Sequence, residues 1–284
     1  MQTLLRKKGR NKYYYLQHSF RDGKKVITKE VYLGKKIPKD LEKKKEKLKS
    51  EEQKILFDKL ESIKKHFQAE WKKLPLSVKE REKQEIAIAF TYHTNAIEGS
   101  TITQEEVREI IQDHIAPHKP LRDIKETEAH CILFLDMLEK KESWSNILLL
   151  EWHKKLFKET KSDIAGCYRD YLVRVGSYRA PDWQDVKKLM NQLIVFLKDK
   201  SIHPVLLAAR AHYRFEKVHP FGDGNGRVGR LIMNHILWYQ GYPMLIIEYS
   251  KRRSYYKALE KDEDGFVKYF IRRYLSVHKK RIAN

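Results

Sequence analysis

The pattern of hydrophobic and polar residues changes from short β-rich runs at the front of the chain to helical spacing afterwards. Residues 13–20 and 25–33 are rich in Tyr, Val and Ile, and Asp22-Gly23 between them is typical of a hairpin turn. Residues 3–7 predict a third strand that turns at Gly9. Because so small a sheet is marginal alone, we expect its aromatic face to pack on the next helix. Stacking of these rings on nucleic-acid bases is the alternative.

One long amphipathic helix is predicted after the sheet. Apolar residues recur there with heptad-like spacing over a remainder rich in Lys and Glu. They are Leu41, Leu48, Ile55, Leu56, Leu60, Ile63, Phe67 and Trp71. Pro75 ends the segment. Pairing with another chain as a coiled coil and packing along its own domain both remain open.

Helical patterns then dominate. Ser77–Glu80 and Thr103–Glu106 resemble capping boxes, each of which would start a helix. The helix that begins at Ser77–Glu80 should stop at Gly99. Apolar faces at helical spacing continue over residues 122–140 and 146–158, and again from 182 and from 204. Two interruptions are predicted. Residues 171–181 suggest a short hairpin around Gly176, and residues 242–248 an extended piece. The fold class is therefore mainly α.

The stretch His219-Pro-Phe-Gly-Asp-Gly-Asn-Gly-Arg-Val-Gly-Arg230 carries the clearest chemistry. Glycines at alternating positions allow successive backbone N–H groups to converge on one acceptor, and phosphate is the natural acceptor. Apolar residues at helical spacing follow at once, so the loop opens a helix. The start of a helix favours an anion.

Arg227 and Arg230 reinforce this interpretation. They lie in the first turn of that helix, where positive charge opposes the helix dipole by on the order of 0.3–1 kcal/mol per residue. A bound polyphosphate removes the mismatch and uses the many donors. Asp223 suits a phosphate site if Mg²⁺ bridges the two. His219, at the entrance, is suited to accept a proton at neutral pH.

Glu98 shows the opposite mismatch. It lies in the last turn of the helix that stops at Gly99, where a negative charge opposes the dipole. A glutamate in this position is usually a solvated helix-end charge. Pairing with the misplaced arginines would relieve both ends.

Residues 219–230 match, at every fixed position, the HPFxDGNGRxxR signature of the Fic family, which the chain therefore resembles. The resemblance implies a Fic-type helical domain and an enzyme that transfers AMP from ATP to a protein hydroxyl, releasing pyrophosphate. It implies that His219 is the catalytic base and that Asp223 holds Mg²⁺. The implied nucleotide-binding residues are Gly224, Asn225, Gly226, Arg227, Arg230, Tyr255 and Tyr256. The two tyrosines match a pair that lies near the adenine in the family, and one of them is expected to be core.

Thr94, Glu98 and Gly99 resemble the family's inhibitory (S/T)xxxE(G/N) motif. This implies that Glu98 binds Arg230 and excludes the productive γ-phosphate position, within the same chain. Removal of AMP from a modified protein, with Glu98 positioning the attacking water, is an alternative reaction.

A target-docking flap is the remaining element that the resemblance implies. Gly166-Cys-Tyr-Arg169 is similar to the GxYR sequence that precedes the family's flap. The predicted hairpin residues Val175, Gly176, Ser177 and Tyr178 would then hold the target backbone by strand addition. Where relatives often carry an amide beside the base, this chain offers Glu263 or Asp264, which leaves the base preference open.

Composition adds limits. The chain has 284 residues and a net charge of +21, and residues 1–50 hold 17 basic and 5 acidic residues. A basic N-terminal segment of this kind could bind nucleic acid, an anionic surface or an acidic protein. Composition rich in Lys and Glu, as in thermophile proteins, explains it equally well without such a partner. Two cysteines, no signal-like run and no long apolar run favour a soluble, cytoplasmic protein without a membrane partner.

We thus expect three parts: a basic β-subdomain over residues 1–38, a connecting helix over 39–74, and a Fic domain over 75–280 with its inhibitory helix near 78–99. The expected partner is a protein with a Ser, Thr or Tyr hydroxyl, and self-modification or a homodimer is possible. A nucleic-acid-binding protein with a vestigial Fic site is the competing function.

Overall fold

The computed structural model describes residues 1–22 and 25–282. It opens with a three-stranded antiparallel sheet, in the order β1 (Gln2–Lys8), β2 (Asn11–Asp22) and β3 (Lys25–Gly34). The additional strand predicted over residues 3–7 is present as β1, and the predicted turn at Gly9, where φ is 58°, is confirmed. Gly23 of the predicted Asp-Gly turn lies outside the described residues, but Asp22 pairs with Lys25 in the register expected of a hairpin.

One face of this sheet packs on the first helix, α1 (Leu41–Lys73), and Leu16, Leu33 and Leu48 form the small core between them. A hydrogen bond between His18 Nε2 and Glu52 Oε2 at 2.7 Å and an ion pair from Lys29 to Glu51 at 2.5 Å connect the same two elements. The sheet does pack on the next helix, but the prediction that its aromatic face makes this contact is wrong for most of the tyrosines, because strand alternation gives the packed face to Leu16 and Leu33 with Tyr14. The opposite face carries Tyr13 and Tyr15, which are half-buried, and Tyr32, which is exposed.

The chain divides into two compact units within α1, one of residues 1–62 with 282 and one of residues 63–281. The single long helix of the sequence pattern is confirmed, and it contributes to both units. Its last turns belong to the second unit, where the Trp71 ring meets the Trp238 ring edge-on at 5.3 Å.

The second unit is helical. Its α-helices are α2 (Leu76–Ile97), α3 (Gln104–Arg108), α4 (Leu121–Glu139), α5 (Asn146–Phe157), α6 (Trp183–Leu197), α7 (Pro204–Val218), α8 (Asn225–Tyr239), α9 (Arg252–Leu259) and α10 (Glu263–Val277). The predicted hairpin is present as β4 (Arg174–Val175) and β5 (Tyr178–Arg179). Residues 242–248 form neither helix nor strand. Within the described ranges, no helix is both long enough and apolar enough to cross a bilayer.

The start of α2 corrects one prediction. Ser77–Glu80 does not form a capping box, because Pro75 takes the N-cap position and the helix already begins at Leu76. Ser77 therefore lies inside the first turn. The second box is confirmed, since the Thr103 hydroxyl accepts from the Glu106 N–H and the Glu106 carboxylate accepts from the Thr103 N–H.

The centre of the second unit is the pair α7 and α8. Small residues allow the two helices to approach closely: Ala208 and Ala211 of α7 are fully buried, and a Cβ at Gly229 of α8 would lie 3.0 Å from His212 Nδ1. The six residues between α7 and α8 belong to the signature stretch. The loop is therefore held at both ends by buried helices.

Candidate active site

The signature loop reverses the chain between two helices. His219 follows α7 in the left-handed conformation, with φ of 49°, and Gly224 precedes α8 with φ of 75°. The Asn225 side chain closes the loop from inside, since its Oδ1 accepts from the Phe221 N–H and its Nδ2 donates to the Phe221 carbonyl, both at 2.9 Å. Both polar atoms of Asn225 therefore brace the turn, and only its backbone is left for a ligand.

Position 224 also has no room for a side chain. A Cβ there would collide with the Phe157 ring of α5. Together with the positive φ, this contact makes glycine the residue that fits at the start of α8.

Arg227 is buried, at 4% exposure, and its partner was not predicted. Nη1 donates to Glu126 Oε2 of α4 at 2.6 Å, and Glu126 Oε1 lies 3.0 Å from Lys161 Nζ. Burial raises the pKa of Glu126, but the two cations outweigh it and lower that pKa overall, so the carboxylate stays ionised. Arg227 is thus fixed in place before any ligand arrives.

Asp223 lies beside this group. Its Oδ2 is 2.5 Å from Lys161 Nζ and its Oδ1 accepts from the Gly224 N–H at 2.5 Å. Burial raises the pKa of Asp223, and Lys161 with Arg227 lowers it by more, so it too is a carboxylate at neutral pH. Among residues 1–22 and 25–282, no three His, Cys, Asp or Glu side chains cluster as a metal site. One half-exposed carboxylate directly before the N-terminus of α8 nevertheless fits Mg²⁺, which commonly takes one or two protein carboxylates and keeps waters or phosphates as its other ligands.

Arg230 is the most buried charge of the site, at 1% exposure, and α2 supplies its partners. Nη2 donates to Glu98 Oε1 at 2.6 Å, and Nε donates to Thr94 Oγ1 at 2.6 Å. Burial disfavours the charged form, but the Glu98 carboxylate outweighs it and raises the pKa of Arg230. The structure therefore brings together the glutamate and the arginine that the sequence placed at opposed helix ends.

The Glu98 carboxylate lies over the beginning of α8. A Cβ at Gly226 would collide with Glu98 Oε1 and lie 2.9 Å from Arg230 Nη1. The carboxylate thus occupies the position that an anion takes at a helix N-terminus. Gly99, with φ of 96°, ends α2 directly after Glu98, as predicted.

His219 is half-buried at the edge of the loop, with its Nδ1 4.0 Å from Glu216 Oε2. Burial lowers the pKa of His219 below its ordinary value of 6.5. The imidazole is therefore neutral near pH 7, which is the form that accepts a proton.

Two side chains that sequence reasoning left without a site role hold the loop. Arg169 of the Gly166–Arg169 sequence donates to the His219 carbonyl at 2.8 Å and to the Pro181 carbonyl at 2.6 Å, which connects the loop to the hairpin segment. His153 stacks on the Phe221 ring at 3.9 Å and contacts the Asp223 carbonyl through Nε2 at 3.0 Å. Burial lowers the pKa of His153 to about 4, so it is a neutral brace.

The hairpin stands beside the loop with its edge in solvent. Val175 pairs with Tyr178, Gly176 turns with φ of 58°, and Val175, Gly176 and Ser177 are exposed. The Tyr178 hydroxyl donates to the Lys217 carbonyl of α7 at 2.7 Å, which anchors the hairpin close to His219.

The two predicted tyrosines separate in role. Tyr255 is buried at 1% exposure, with its hydroxyl 2.8 Å from His212 Nε2, so it is the core member of the pair. Tyr256 is 41% exposed, and its hydroxyl donates to the Ile97 carbonyl at 3.0 Å beside Glu98.

Glu263, one of the two acidic residues that the sequence offered beside the base, forms ion pairs with Arg214 at 2.8 Å and with Arg210 at 3.1 Å.

A polar pocket of about 220 Å³ opens between these groups. Its walls include Glu98, Glu126, Lys161, Asp223 and Arg227. A larger groove of about 330 Å³ lies between α4 and α5, but no signature residue lines it. Pockets for small molecules usually hold roughly 300–1,000 Å³, so the polar pocket is small with Glu98 on its wall.

Comparison with known proteins agrees with this geometry. Residues 144–237 match the model of the Fic/DOC family. The chain is 35% identical over 189 residues to a protein adenylyltransferase Fic of Nematostella vectensis, covering 64% of this chain and 44% of the relative. It is 33% identical over 205 residues to that of Aedes aegypti, covering 68% of this chain and 40% of the relative. The chain thus spans less than half the length of these relatives.

Solved structures show the same fold. Fic-1 (residues 134–508) from C. elegans has a TM-score of 0.69 and 27% identity, covering 82% of this chain and 72% of that one. A Fic family protein from Desulfovibrio desulfuricans G20 has a TM-score of 0.65 and 26% identity, covering 78% and 72%. With the complete signature of residues 219–230 assembled around a buried arginine pair, the chain belongs to the Fic/DOC family.

Proposed function

We propose that this chain is a protein adenylyltransferase, which transfers AMP from ATP to a Ser, Thr or Tyr hydroxyl of a target protein. The observation that carries the proposal is the pair of buried arginines, Arg227 and Arg230, around a glycine loop that begins a helix. Donors in that arrangement suit a triphosphate. Relatives that are 35% and 33% identical over 189 and 205 aligned residues bear the name protein adenylyltransferase Fic.

His219 is the catalytic base in this proposal. Its lowered pKa leaves the imidazole neutral, so it can take the proton of the target hydroxyl as that oxygen attacks the α-phosphorus. The bond from that phosphorus to the bridging oxygen breaks, and pyrophosphate leaves. The N–H groups of Gly224, Asn225 and Gly226, with Arg227, stabilise the charge on the phosphates.

Asp223 would hold Mg²⁺ after exchanging its contact with Lys161 for the ion. The ion would supply charge neutralisation on the phosphates. The carboxylate needs no change of protonation for this, because Lys161 and Arg227 already keep its pKa low.

Glu98 is proposed to inhibit the enzyme from within the chain. Its carboxylate lies against Arg230 and over Gly226, where a γ-phosphate would need the same donors. Thr94 holds the arginine in that arrangement. In this proposal ATP binds productively once Glu98 leaves, and Tyr256 flanks the base; its half-exposed ring beside Glu98 supports that role.

The exposed edge of the hairpin is proposed to dock the target. A strand added there would be held mainly by its backbone, which presents a side chain toward His219 whatever the flanking sequence. In this organisation residues 75–280 are the catalytic domain, residues 1–38 a basic subdomain and 39–74 the helix that connects them.

Incubation with ATP labelled on the α-phosphate tests the proposal. The Glu98→Gly variant should label proteins of a lysate, and His219→Ala added to it should abolish the label. If the chain that retains Glu98 only releases label from an already modified target, the reaction is instead removal of AMP. Binding of ATP by Glu98→Gly without any transfer would contradict the proposal.

A further inference from the structure

The N-terminal sheet presents a surface outside the residues proposed for AMP transfer. Residues 1–36 contain eleven Lys and Arg against two Asp and Glu. The face of the sheet turned away from α1 carries Tyr13, Tyr15 and Tyr32 as neighbours, and Tyr32 is 53% exposed. The Tyr32 ring lies 5.3 Å from Tyr15 and 6.2 Å from Tyr13. The tyrosines therefore form one aromatic patch, not three scattered residues.

A run of cations borders this patch, at the end of the sheet where β1 turns into β2. These residues are Lys7, Lys8, Arg10, Lys12, Lys35 and Lys36. Side chains alternate between the two faces of a strand, so Lys8 lies on the same face as Arg6, Tyr13 and Tyr15, and Arg10 follows it in the turn. Lys7 and Lys12, which are directly opposite each other in the register, lie on the other face. Over residues 1–22 and 25–282, no carboxylate lies within ion-pairing distance of these six side chains.

The nearby carboxylate is already engaged. Glu30 accepts from Arg6 at 2.6 Å and from Gln17 at 2.9 Å. The Arg6 guanidinium in turn lies 4.7 Å over the Tyr15 ring. Glu30 is therefore not available to neutralise the cations at the turn, and these remain accessible to an anion from outside the sheet.

We propose that this face, the tyrosine patch of Tyr13, Tyr15 and Tyr32 with its lysine border, binds single-stranded nucleic acid. Phosphates spaced along a strand match the row of cations, and unpaired bases stack on exposed rings. An acidic protein would satisfy the lysines but would leave the rings without a flat partner. A duplex keeps its bases stacked on one another, so they are closed to the tyrosines.

Fluorescence anisotropy with the full chain tests this site. The probes are a labelled single-stranded oligonucleotide of mixed sequence, as DNA and as RNA, and the same sequence as a duplex. A length above the roughly 4–16 nucleotides of small single-strand sites leaves room for the face. We expect the single strand to bind more tightly than the duplex, with an affinity that falls as salt rises.

Two sets of variants separate charge from stacking. Tyr32→Ala should weaken binding about fivefold or more, while Tyr32→Phe keeps the ring and the affinity. Lys8→Gln with Arg10→Gln should reduce the slope of log affinity against log salt by about 1.4, since each phosphate contact contributes about 0.7. Lys187→Gln with Lys188→Gln removes the same charge from exposed positions of α6 and should change little.

Several results would overturn the proposal. No binding to any single strand is one, and equal affinity of Tyr32→Ala and the unmodified chain is another. Equal loss in the α6 control would show that net charge alone attracts the probe. Tighter binding of the duplex, or of a polyglutamate peptide, would assign the face to a different partner. Because this readout does not involve AMP transfer, its failure is separate from failure of the catalytic proposal.

Discussion

Glu126 Oε2 lies 2.6 Å from Arg227 Nη1, and the two side chains are only 10% and 5% exposed. This buried pair fixes one of the two signature arginines independently of any nucleotide. Breaking a buried pair leaves an uncompensated charge and costs on the order of 3–5 kcal/mol.

Glu126→Gln should therefore lower the free energy of unfolding by several kcal/mol, on the order of 3. In the Glu98→Gly background it should also raise KM for ATP, because Arg227 loses its fixed position. Urea unfolding and steady-state kinetics measure the two effects. Glu128→Gln, an exposed glutamate on the same helix, is the matched control. Equal effects of the two changes would show that Glu126 does not position Arg227.

Thr94→Val tests how Arg230 is held. The change removes the acceptor of the Arg230 Nε bond and leaves a buried donor without it, at a cost of about 1–3 kcal/mol. We expect a lower unfolding free energy and a partial gain of labelling activity, smaller than that of Glu98→Gly. Thr101→Val, at an exposed position, should do neither. If stability falls as expected but the labelling activity does not change, Thr94 has no part in inhibition.

The pH profile of the Glu98→Gly enzyme follows from His219. Burial lowers the pKa of His219, so the neutral base persists below the ordinary value of 6.5 and is lost only at lower pH. We expect kcat/KM to reach a plateau on the alkaline side and to fall on the acidic side, with its midpoint below 6.5. A midpoint above that value would contradict the environment described for this imidazole.

Glu216 makes stability depend on pH. Burial raises the pKa of this carboxyl from 4.5 to about 7, so the folded chain binds a proton that the unfolded chain releases between these values. The contribution of Glu216 to stability is therefore complete below pH 4.5 and is lost as pH rises through about 7. Glu216→Gln should reduce the fall of Tm over that window. Parallel Tm profiles for the variant and the unmodified chain would show that Glu216 does not titrate there.

Part of the site could be predicted from sequence because the information is local. Glycine positions and helix ends fix the loop, and two charges that oppose their helix dipoles, Glu98 and Arg230, predict their own pairing. Glu126 was missed because its partner is 101 residues away. A signal existed, since Glu126 shares the buried face of α4 with His130 and Met137, where an acidic residue needs a cation.

Asn225 and Tyr255 show a second limit. The sequence placed both near the nucleotide, but the Asn225 side chain closes the loop and Tyr255 is packed against His212. Motif spacing identifies which residues gather at a site. It does not show which of their atoms remain free, because that depends on packing against distant helices.

The central claim is that Glu98 blocks a site able to transfer AMP. Intact mass spectrometry of purified Glu98→Gly protein after incubation with ATP and Mg²⁺ tests it most directly. We expect a mass gain equal to one or more AMP groups. This gain should be absent from the chain with its original sequence and from the Glu98→Gly, His219→Ala double variant. A Glu98→Gly protein that binds ATP yet gains no mass, and transfers no labelled AMP to any lysate protein, would contradict the account.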